Sequence, residues 1–220
     1  CGMQPIPEQG VARGEVLFQR CTPCHGDQGE GRPDLSAPPI AGLDEVYVAR
    51  QLENFANGIR GKHGDDIEGI RMMPMARTLV AYQDGVRDEA GTQVNIQALA
   101  AYVAGLSVVN PENYIATGDV QMGKMTYEGK CKSCHGDNAE GKAQIDVTQV
   151  PKSVTYEGSA PGLVDQADWY LSNQITKFQN GVRGADSSVD PAGATMAHWA
   201  KQLPDEQAVK DVVSYIASIK

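Results

Sequence analysis

Four of the five cysteines form two Cys-x-x-Cys pairs, and a histidine directly follows each pair, in CTPCH (21–25) and CKSCH (131–135). Two thiols at this spacing can reach the two vinyl groups on one edge of a porphyrin, which is the arrangement of covalent haem attachment. The histidine that follows can then bind the haem iron. The predicted attachment residues are Cys21, Cys24, Cys131 and Cys134, and the predicted iron ligands are His25 and His135.

Two other chemistries use a Cys-x-x-Cys pair, namely a redox-active dithiol and half of a zinc site. A zinc site of two cysteines and one histidine would need a fourth ligand. Neither half of the chain contains another cysteine pair or two closely spaced histidines. The occurrence of the whole motif twice, half a chain apart, favours haem attachment.

An internal repeat extends well beyond the two motifs. YVARQLENFANGIRG (47–61) aligns without a gap with YLSNQITKFQNGVRG (170–184), and ALAAYVAGL (98–106) aligns with DVVSYIASI (211–219). Each half of the chain therefore has the same predicted order of elements: helix, haem motif, loop, helix, loop, helix. The fold class predicted from this pattern is all-α with two tandem domains.

Helix signals fix the approximate positions of these elements. In the first half, we expect an opening helix near residues 8–20 and a second over 46–57, closed by Gly58. Asn95 can cap a third helix, because apolar residues follow it at helical spacing. In the second half, the last helix is expected to begin at PDEQ (204–207), where proline and acidic residues occupy the first turn.

The sixth ligand of each iron is sought at equivalent places in the repeat. Met72 and Met196 each stand seven residues before a leucine, and a soft thioether ligand favours ferrous iron. Pro74 is expected to hold Met73 in an extended conformation. The remaining candidates have no counterpart in the repeat and are assigned to core packing, for Met73 and Met75, or to the surface, for His63 and His198.

Both halves resemble class I cytochrome c domains, and the tandem resembles the dihaem cytochrome c4 family. The shared features are the C-x-x-C-H motif, the APPIAG loop (37–42), the Y-x-x-x-Q-x-x-x-F-x-x-G-x-R pattern and the methionine seven before leucine. The resemblance implies two small helical bundles, each wrapped around one covalently bound haem c. It also implies that a proline carbonyl supports each haem-ligating histidine. Pro38 fits this role in the first half, and Pro151 and Pro161 compete for it in the second.

The predicted domain organisation is a tether over residues 1–10, a first domain over 11–108, a linker over 109–118 and a second domain over 119–220. Each domain has its own insertion. The second domain has extra residues between Cys131 and Tyr170, and the first has AYQDGVRDEAG (81–91). Such insertions can serve as docking surfaces, although the expected role of both is that of a solvated loop.

Composition constrains partners and location. The formal charge of −9 and the pI of about 4.9 argue against nucleic-acid binding and favour redox protein partners with basic docking patches. No apolar run is long enough for a transmembrane helix.

Cys1 followed by a polar, Pro- and Gly-rich stretch resembles the lipidated N-terminus of bacterial lipoproteins. We therefore expect a lipid anchor on Cys1 at the periplasmic side of a bacterial membrane.

The predicted function is the transfer of single electrons between membrane redox partners, as a tethered carrier or as a subunit of a membrane complex. The alternative is a dihaem enzyme, such as a peroxidase or a thiosulfate-oxidising cytochrome. An enzyme needs an open or labile iron, whereas both halves here offer a methionine ligand. No catalytic residue and no small-molecule substrate are predicted.

Overall fold

The computed structural model describes residues 7–115, 117–142, 144–145 and 158–219 of the 220-residue chain. The chain divides into two compact units, Cys1–Val109 and Asn110–Lys220. The described residues are mainly helical, and their strands form a single two-stranded hairpin in the first unit. The predicted all-α architecture with two tandem domains is confirmed.

Five helices and one hairpin build the first unit. In chain order these are α1 (Gly10–Phe18), α2 (Thr22–His25), α3 (Glu45–Ala56), α4 (Ile67–Arg77), β1 (Ala81–Gln83), β2 (Val86–Asp88) and α5 (Glu89–Ala104), with a 3-10 turn at Pro33–Leu35. The described part of the second unit has five helices in the matching order. They are α6 (Val120–Lys130), α7 (Lys132–His135), α8 (Asp168–Gln179), α9 (Pro191–Ala200) and α10 (Glu206–Ser218).

The first and last helices of each unit cross at a glycine. A Cβ atom on Gly14 of α1 would lie 2.0 Å from the carbonyl oxygen of Ala98 in α5. In the second unit, a Cβ atom on Gly123 of α6 would lie 2.0 Å from the carbonyl oxygen of Asp211 in α10. Each crossing therefore requires glycine, because any side chain would collide with the backbone of the partner helix.

One fully buried aromatic residue anchors each core beside its crossing. The Phe18 ring lies 5.2 Å from the Tyr102 ring, and the Tyr127 ring lies 5.4 Å from the Tyr215 ring, measured between centroids. The Tyr127 hydroxyl donates a hydrogen bond of 2.7 Å to the carbonyl oxygen of Gly136, which follows the second haem motif. This hydrogen bond ties the core of the second domain to the turn that carries its cysteines.

The helices α4 and α9 were not predicted, because a loop was expected at these positions. Pro74 lies inside α4, so the expectation that it holds Met73 extended is wrong. Packing explains this outcome, since Ala76 of α4 is buried against Phe55 and Ala56 of α3. Burial of this face outweighs the hydrogen bond that proline removes from the helix.

The insertion at residues 81–91 is also ordered differently from the expected solvated loop. It forms the hairpin β1–β2 and the first turn of α5. Asp84 and Gly85 make its tight turn with φ values of 51° and 79°, and an Asp-Gly pair is typical of such two-residue hairpin turns. Asp88 then caps α5 by accepting a hydrogen bond from the N–H of Gly91 at 3.1 Å.

The prediction that Asn95 caps the last helix of the first domain is therefore wrong. Asn95 lies buried in the middle of α5. Its side chain accepts a hydrogen bond from Arg13 Nε at 2.7 Å and donates one to the carbonyl oxygen of Leu79 at 2.8 Å. It thus links three separate segments of the first domain.

Replacement of Asn95 by alanine should destabilise the first domain by about 2 kcal/mol, because it leaves the buried Leu79 carbonyl without its donor. Hydrogen exchange of first-domain peptides in increasing denaturant measures this loss. The matched control is Gln93→Ala, which removes an exposed bond to Glu53. Equal protection in the two variants would contradict the structural role of Asn95.

Part of the predicted linker is fixed to the second domain. The Asp168 carboxylate accepts hydrogen bonds from the N–H groups of Tyr114 and Ile115, at 2.9 and 2.7 Å. The N–H of Gly118 donates to Oγ of Ser214 in α10 at 2.9 Å. No described helix is long and apolar enough to cross a membrane.

Candidate functional site: two haem-attachment turns

Each haem motif folds into a single short helical turn, α2 or α7. The N–H of His25 donates to the carbonyl oxygen of Cys21 at 2.9 Å, and His135 donates to Cys131 in the same way at 2.9 Å. The two cysteines and the histidine of a motif therefore occupy one turn of backbone. None of the four motif cysteines forms a disulfide, so each can supply its sulfur to a haem thioether.

A backbone carbonyl holds each motif histidine in place. Nδ1 of His25 lies 2.9 Å from the oxygen of Pro38, and Nδ1 of His135 lies 2.9 Å from that of Pro161. The role of Pro38 is confirmed, and Pro161 is the residue that supports His135. Pro151, the other candidate, lies outside the described residues.

This arrangement leaves the second ring nitrogen of each histidine available for a metal. Within the described residues, Nε2 of His25 and of His135 has no hydrogen-bond partner. Burial lowers the pKa of both imidazoles, against a smaller upward effect of the bond to the proline carbonyl. A neutral imidazole donating through Nδ1 is the form that binds iron through Nε2.

The burial of one cysteine in each motif differs from the environment of a redox-active dithiol. Burial raises the pKa of Cys21 to about 11 and that of Cys131 to about 12, whereas reactive thiols have lowered pKa values. Among the described residues, no group of three His, Cys, Asp or Glu side chains could hold a metal ion. The local chemistry thus disfavours both alternatives to haem.

The two predicted methionine ligands lie on equivalent helices. Met72 on α4 is half-buried and packs against both apolar clusters of the first domain, whereas Met73 packs only against the Phe55 cluster. Met196 on α9 packs against the core of the second domain. Met75 is exposed, which differs from the core packing predicted for it.

The two competing histidines lie at the surface, as predicted. His63 is exposed, and its Nδ1 accepts a hydrogen bond from the N–H of Asp65 at 3.2 Å. His198 is exposed and contacts the Gln202 side chain at 3.0 Å. Neither of these hydrogen bonds connects the histidine to a haem motif.

A buried arginine in each domain was not assigned a role from sequence, although the repeat contains all of its partners. The Arg60 guanidinium lies 4.2 Å above the Phe55 ring and donates to Gln51 Oε1 at 2.6 Å. The second domain repeats this unit with Arg183, Phe178 and Gln174. Each unit places a permanent positive charge in the domain interior, where it acts more strongly than in water.

These features together match what a covalently attached porphyrin requires of a protein. Free thiols on one turn can form the two thioethers, a fixed neutral imidazole can bind the iron, and a thioether side chain stands at the same position in both repeats. The fold and the paired sites thus define a protein of the c-type haem class. The Cytochrome c family model matches residues 11–107 and 120–220, and the chain belongs to this family.

Two relatives illustrate the range of the similarity. The chain is 30% identical over 166 residues to a thiosulfate dehydrogenase electron acceptor of Thiomonas intermedia, covering 76% of this chain and 65% of the relative. It is 26% identical over 215 residues to the cbb3-type cytochrome c oxidase subunit CcoP of an Azospirillum species, covering 95% and 62%. The chain thus spans less than two thirds of the length of either relative.

Solved structures share the two-domain fold. Reduced cytochrome c4 of Pseudomonas stutzeri aligns with a TM-score of 0.64 at 20% identity, over 96% of this chain and 100% of that one. Thiosulfate dehydrogenase TsdBA of Marichromatium purpuratum aligns with a TM-score of 0.62 at 23% identity, over 96% of this chain and 40% of that one. Since the Cytochrome c family model matches each domain once, the chain carries two covalently bound haem c groups, as predicted.

Proposed function

We propose that this dihaem cytochrome transfers single electrons between redox proteins on the periplasmic side of a bacterial membrane, as a carrier or as a subunit of a membrane complex. One observation carries the proposal. Both domains combine a carbonyl-supported histidine, His25 or His135, with a methionine at the same repeat position, Met72 or Met196. Two protein ligands at each iron leave no open position for a substrate.

In this proposal the protein residues hold the imidazole and thioether side chains in fixed positions when the charge of the iron changes. The carbonyls of Pro38 and Pro161 prevent the imidazoles from rotating, and the packed helices α4 and α9 hold the methionines. Such rigidity lowers the structural rearrangement that accompanies electron transfer. The cysteines Cys21, Cys24, Cys131 and Cys134 fix each haem within its domain.

A redox titration combined with rapid kinetics tests the proposal. The holoprotein should take up two electrons per chain in two one-electron steps, and it should exchange them rapidly with small redox mediators. It should show no hydrogen-peroxide or thiosulfate turnover above the rate of free haem. Saturable turnover of either substrate would overturn the proposal in favour of an enzyme.

The similarity to the thiosulfate dehydrogenase TsdBA supports a thiosulfate-oxidising cytochrome as the second candidate. The relative from Thiomonas intermedia, however, is described as the electron acceptor of such an enzyme. That description supports a role in receiving electrons rather than in oxidising thiosulfate. The absence of a histidine or cysteine in place of Met72 or Met196 points in the same direction.

Attachment to the membrane through an acylated Cys1 stays a prediction, since Cys1 lies outside the described residues. Mass spectrometry of the N-terminal peptide of protein isolated from its native host tests it. We expect a diacylglycerol thioether on Cys1, with a second acylation on its amine, because stable anchoring takes more than one chain. A free Cys1 thiol in that material would exclude the anchor.

A further inference from the structure

Four exposed cations gather where α3 and α4 end in the first domain. Arg20 donates to the carbonyl oxygen of Thr78 at 3.0 Å, Arg77 to that of Ala56 at 3.3 Å, and Arg87 to the Asn57 side chain at 2.9 Å. Lys62 joins them, since a Cβ atom built at Gly58 would lie 2.6 Å from its Cε and 3.4 Å from an Arg77 nitrogen. We call these four residues, Arg20, Lys62, Arg77 and Arg87, the cationic face.

Most of this positive charge is not balanced by nearby acids. Among the described residues, Arg87 alone of the four has a carboxylate within ion-pair distance, Glu89 at 2.6 Å. The chain as a whole carries a net charge of −9, so an uncompensated cationic cluster is unusual for it. Arg20 and Arg77 bond to carbonyls at the C-terminal ends of helices, where cations are stabilising. This role does not extend to Lys62 and Arg87, for which the described residues include no bond to a helix carbonyl.

The second domain lacks two of the four positions. Lys130 and Lys201 correspond to Arg20 and Arg77, whereas Ala185 stands in place of Lys62. Arg87 belongs to the hairpin β1–β2, which the second domain does not contain at the aligned position. The cationic face is therefore a property of the first domain.

The same hairpin exposes an aromatic side chain beside the cations, since Tyr82 is 68% exposed. Tyr82 stands directly opposite Arg87 in the hairpin register, so both occupy one face of the two-stranded sheet. An exposed aromatic residue next to arginine is a typical composition of a protein interface.

The cationic face is continuous with the haem-attachment turn of the first domain. Arg20 directly precedes Cys21, and the next attachment residue, Cys24, is exposed. In the second domain the equivalent Cys134 is only 8% exposed, because it packs against Ile145 and Ala160. Ile145 and Ala160 thus pack over the second attachment cysteine of the second domain, whereas none of the apolar clusters in the described part of the first domain includes Cys24.

From these observations we propose that the cationic face and the hairpin together dock an acidic single-electron protein, which exchanges electrons with the first haem. This inference rests on the proposed electron-transfer function and specifies the partner of one of its two haems. Charge complementarity selects the partner, because acidic groups on it would approach Arg20, Lys62, Arg77 and Arg87. For the first domain, the proposed partner is therefore acidic, whereas the net charge alone predicts a partner with a basic docking patch.

The test uses the oxidised dihaem protein and a flavodoxin hydroquinone as the acidic one-electron donor in stopped flow. The wild-type reduction rate should fall as ionic strength rises, as expected for attraction between unlike charges. The double variant Arg20→Glu/Lys62→Glu should be reduced about tenfold more slowly at low ionic strength, and this difference should vanish at high salt. The matched second-domain control, Lys130→Glu/Lys201→Glu, should keep the wild-type rate.

Three results would overturn the docking proposal. The first is a rate that rises with salt in the wild type, and the second is an equal loss of rate in both double variants. The third is loss of binding to phosphatidylglycerol vesicles in Arg20→Glu/Lys62→Glu with an unchanged flavodoxin rate, which would assign the cationic face to a lipid surface. Reduction by a neutral flavin semiquinone, which carries no charge for the cationic face to attract, tests the haem sites separately from docking. Equal rates in all variants show intact haem sites, whereas failure to reduce either haem would contradict the proposed function itself.

Discussion

Replacement of Met72 by alanine should lower the midpoint potential of the first haem by on the order of 0.2 V, because methionine ligation stabilises ferrous iron. The weak red charge-transfer band of methionine-ligated ferric haem should fall to half its intensity. Met196→Ala should have the same effect on the second haem. A redox titration followed by visible spectroscopy measures both changes.

Met75→Ala is the matched control, since Met75 lies three residues further along the same helix and is exposed. It should leave the potentials and the red band unchanged. If Met75→Ala removes the band and Met72→Ala does not, the assignment from the repeat is wrong. Met73→Ala provides a third comparison, because Met73 packs only against the Phe55 cluster.

Replacement of Gly123 by alanine should destabilise the second domain by about 3 kcal/mol, because the new Cβ atom would overlap backbone atoms of α10 that cannot move independently. It would lie 2.0 Å from the carbonyl oxygen of Asp211 and 2.9 Å from Cβ of Tyr215. The α6–α10 crossing would have to open. Thermal unfolding of the holoprotein and hydrogen exchange of second-domain peptides measure the effect.

Gly129 on the same helix supplies the control. Among the described residues, no atom outside the adjoining backbone of α6 lies within 4 Å of a Cβ atom built there, so Gly129→Ala should stabilise α6 by about 0.5–1 kcal/mol through helix propensity alone. A similar stability change in Gly123→Ala and Gly129→Ala would contradict the close helix crossing.

Sequence patterns located the haem turns and the helix after them accurately. The aligned segments 47–61 and 170–184 correspond to α3 and α8, because buried residues recur at helical spacing and Gly58 adopts the positive φ of 69° that ends α3. The role of Pro38 was predicted from the resemblance of the APPIAG loop to that of class I cytochromes c, and its carbonyl does contact His25. The helices and their glycine ends depend on residues that lie close together in the sequence.

Features that depend on distant contacts could not be predicted in the same way. The helix α4 contains Pro74 and few residues with a clear apolar period, and its packing on α3 is what stabilises it. Asn95 looked like a helix cap, but its partners, Arg13 and Leu79, are far away in sequence. The hairpin strands have only three residues each and expose most of their side chains, so they lack the alternating pattern of a buried strand.

Carbon monoxide binding to the reduced holoprotein shows whether both haem irons have two protein ligands. If His25 and Met72 bind one iron and His135 and Met196 bind the other, neither ferrous haem has a vacant position. Carbon monoxide should therefore bind slowly and substoichiometrically, at a rate limited by dissociation of a methionine. Rapid binding of one carbon monoxide per chain would show that one iron lacks its methionine ligand, and the protein would then have to be treated as a candidate enzyme.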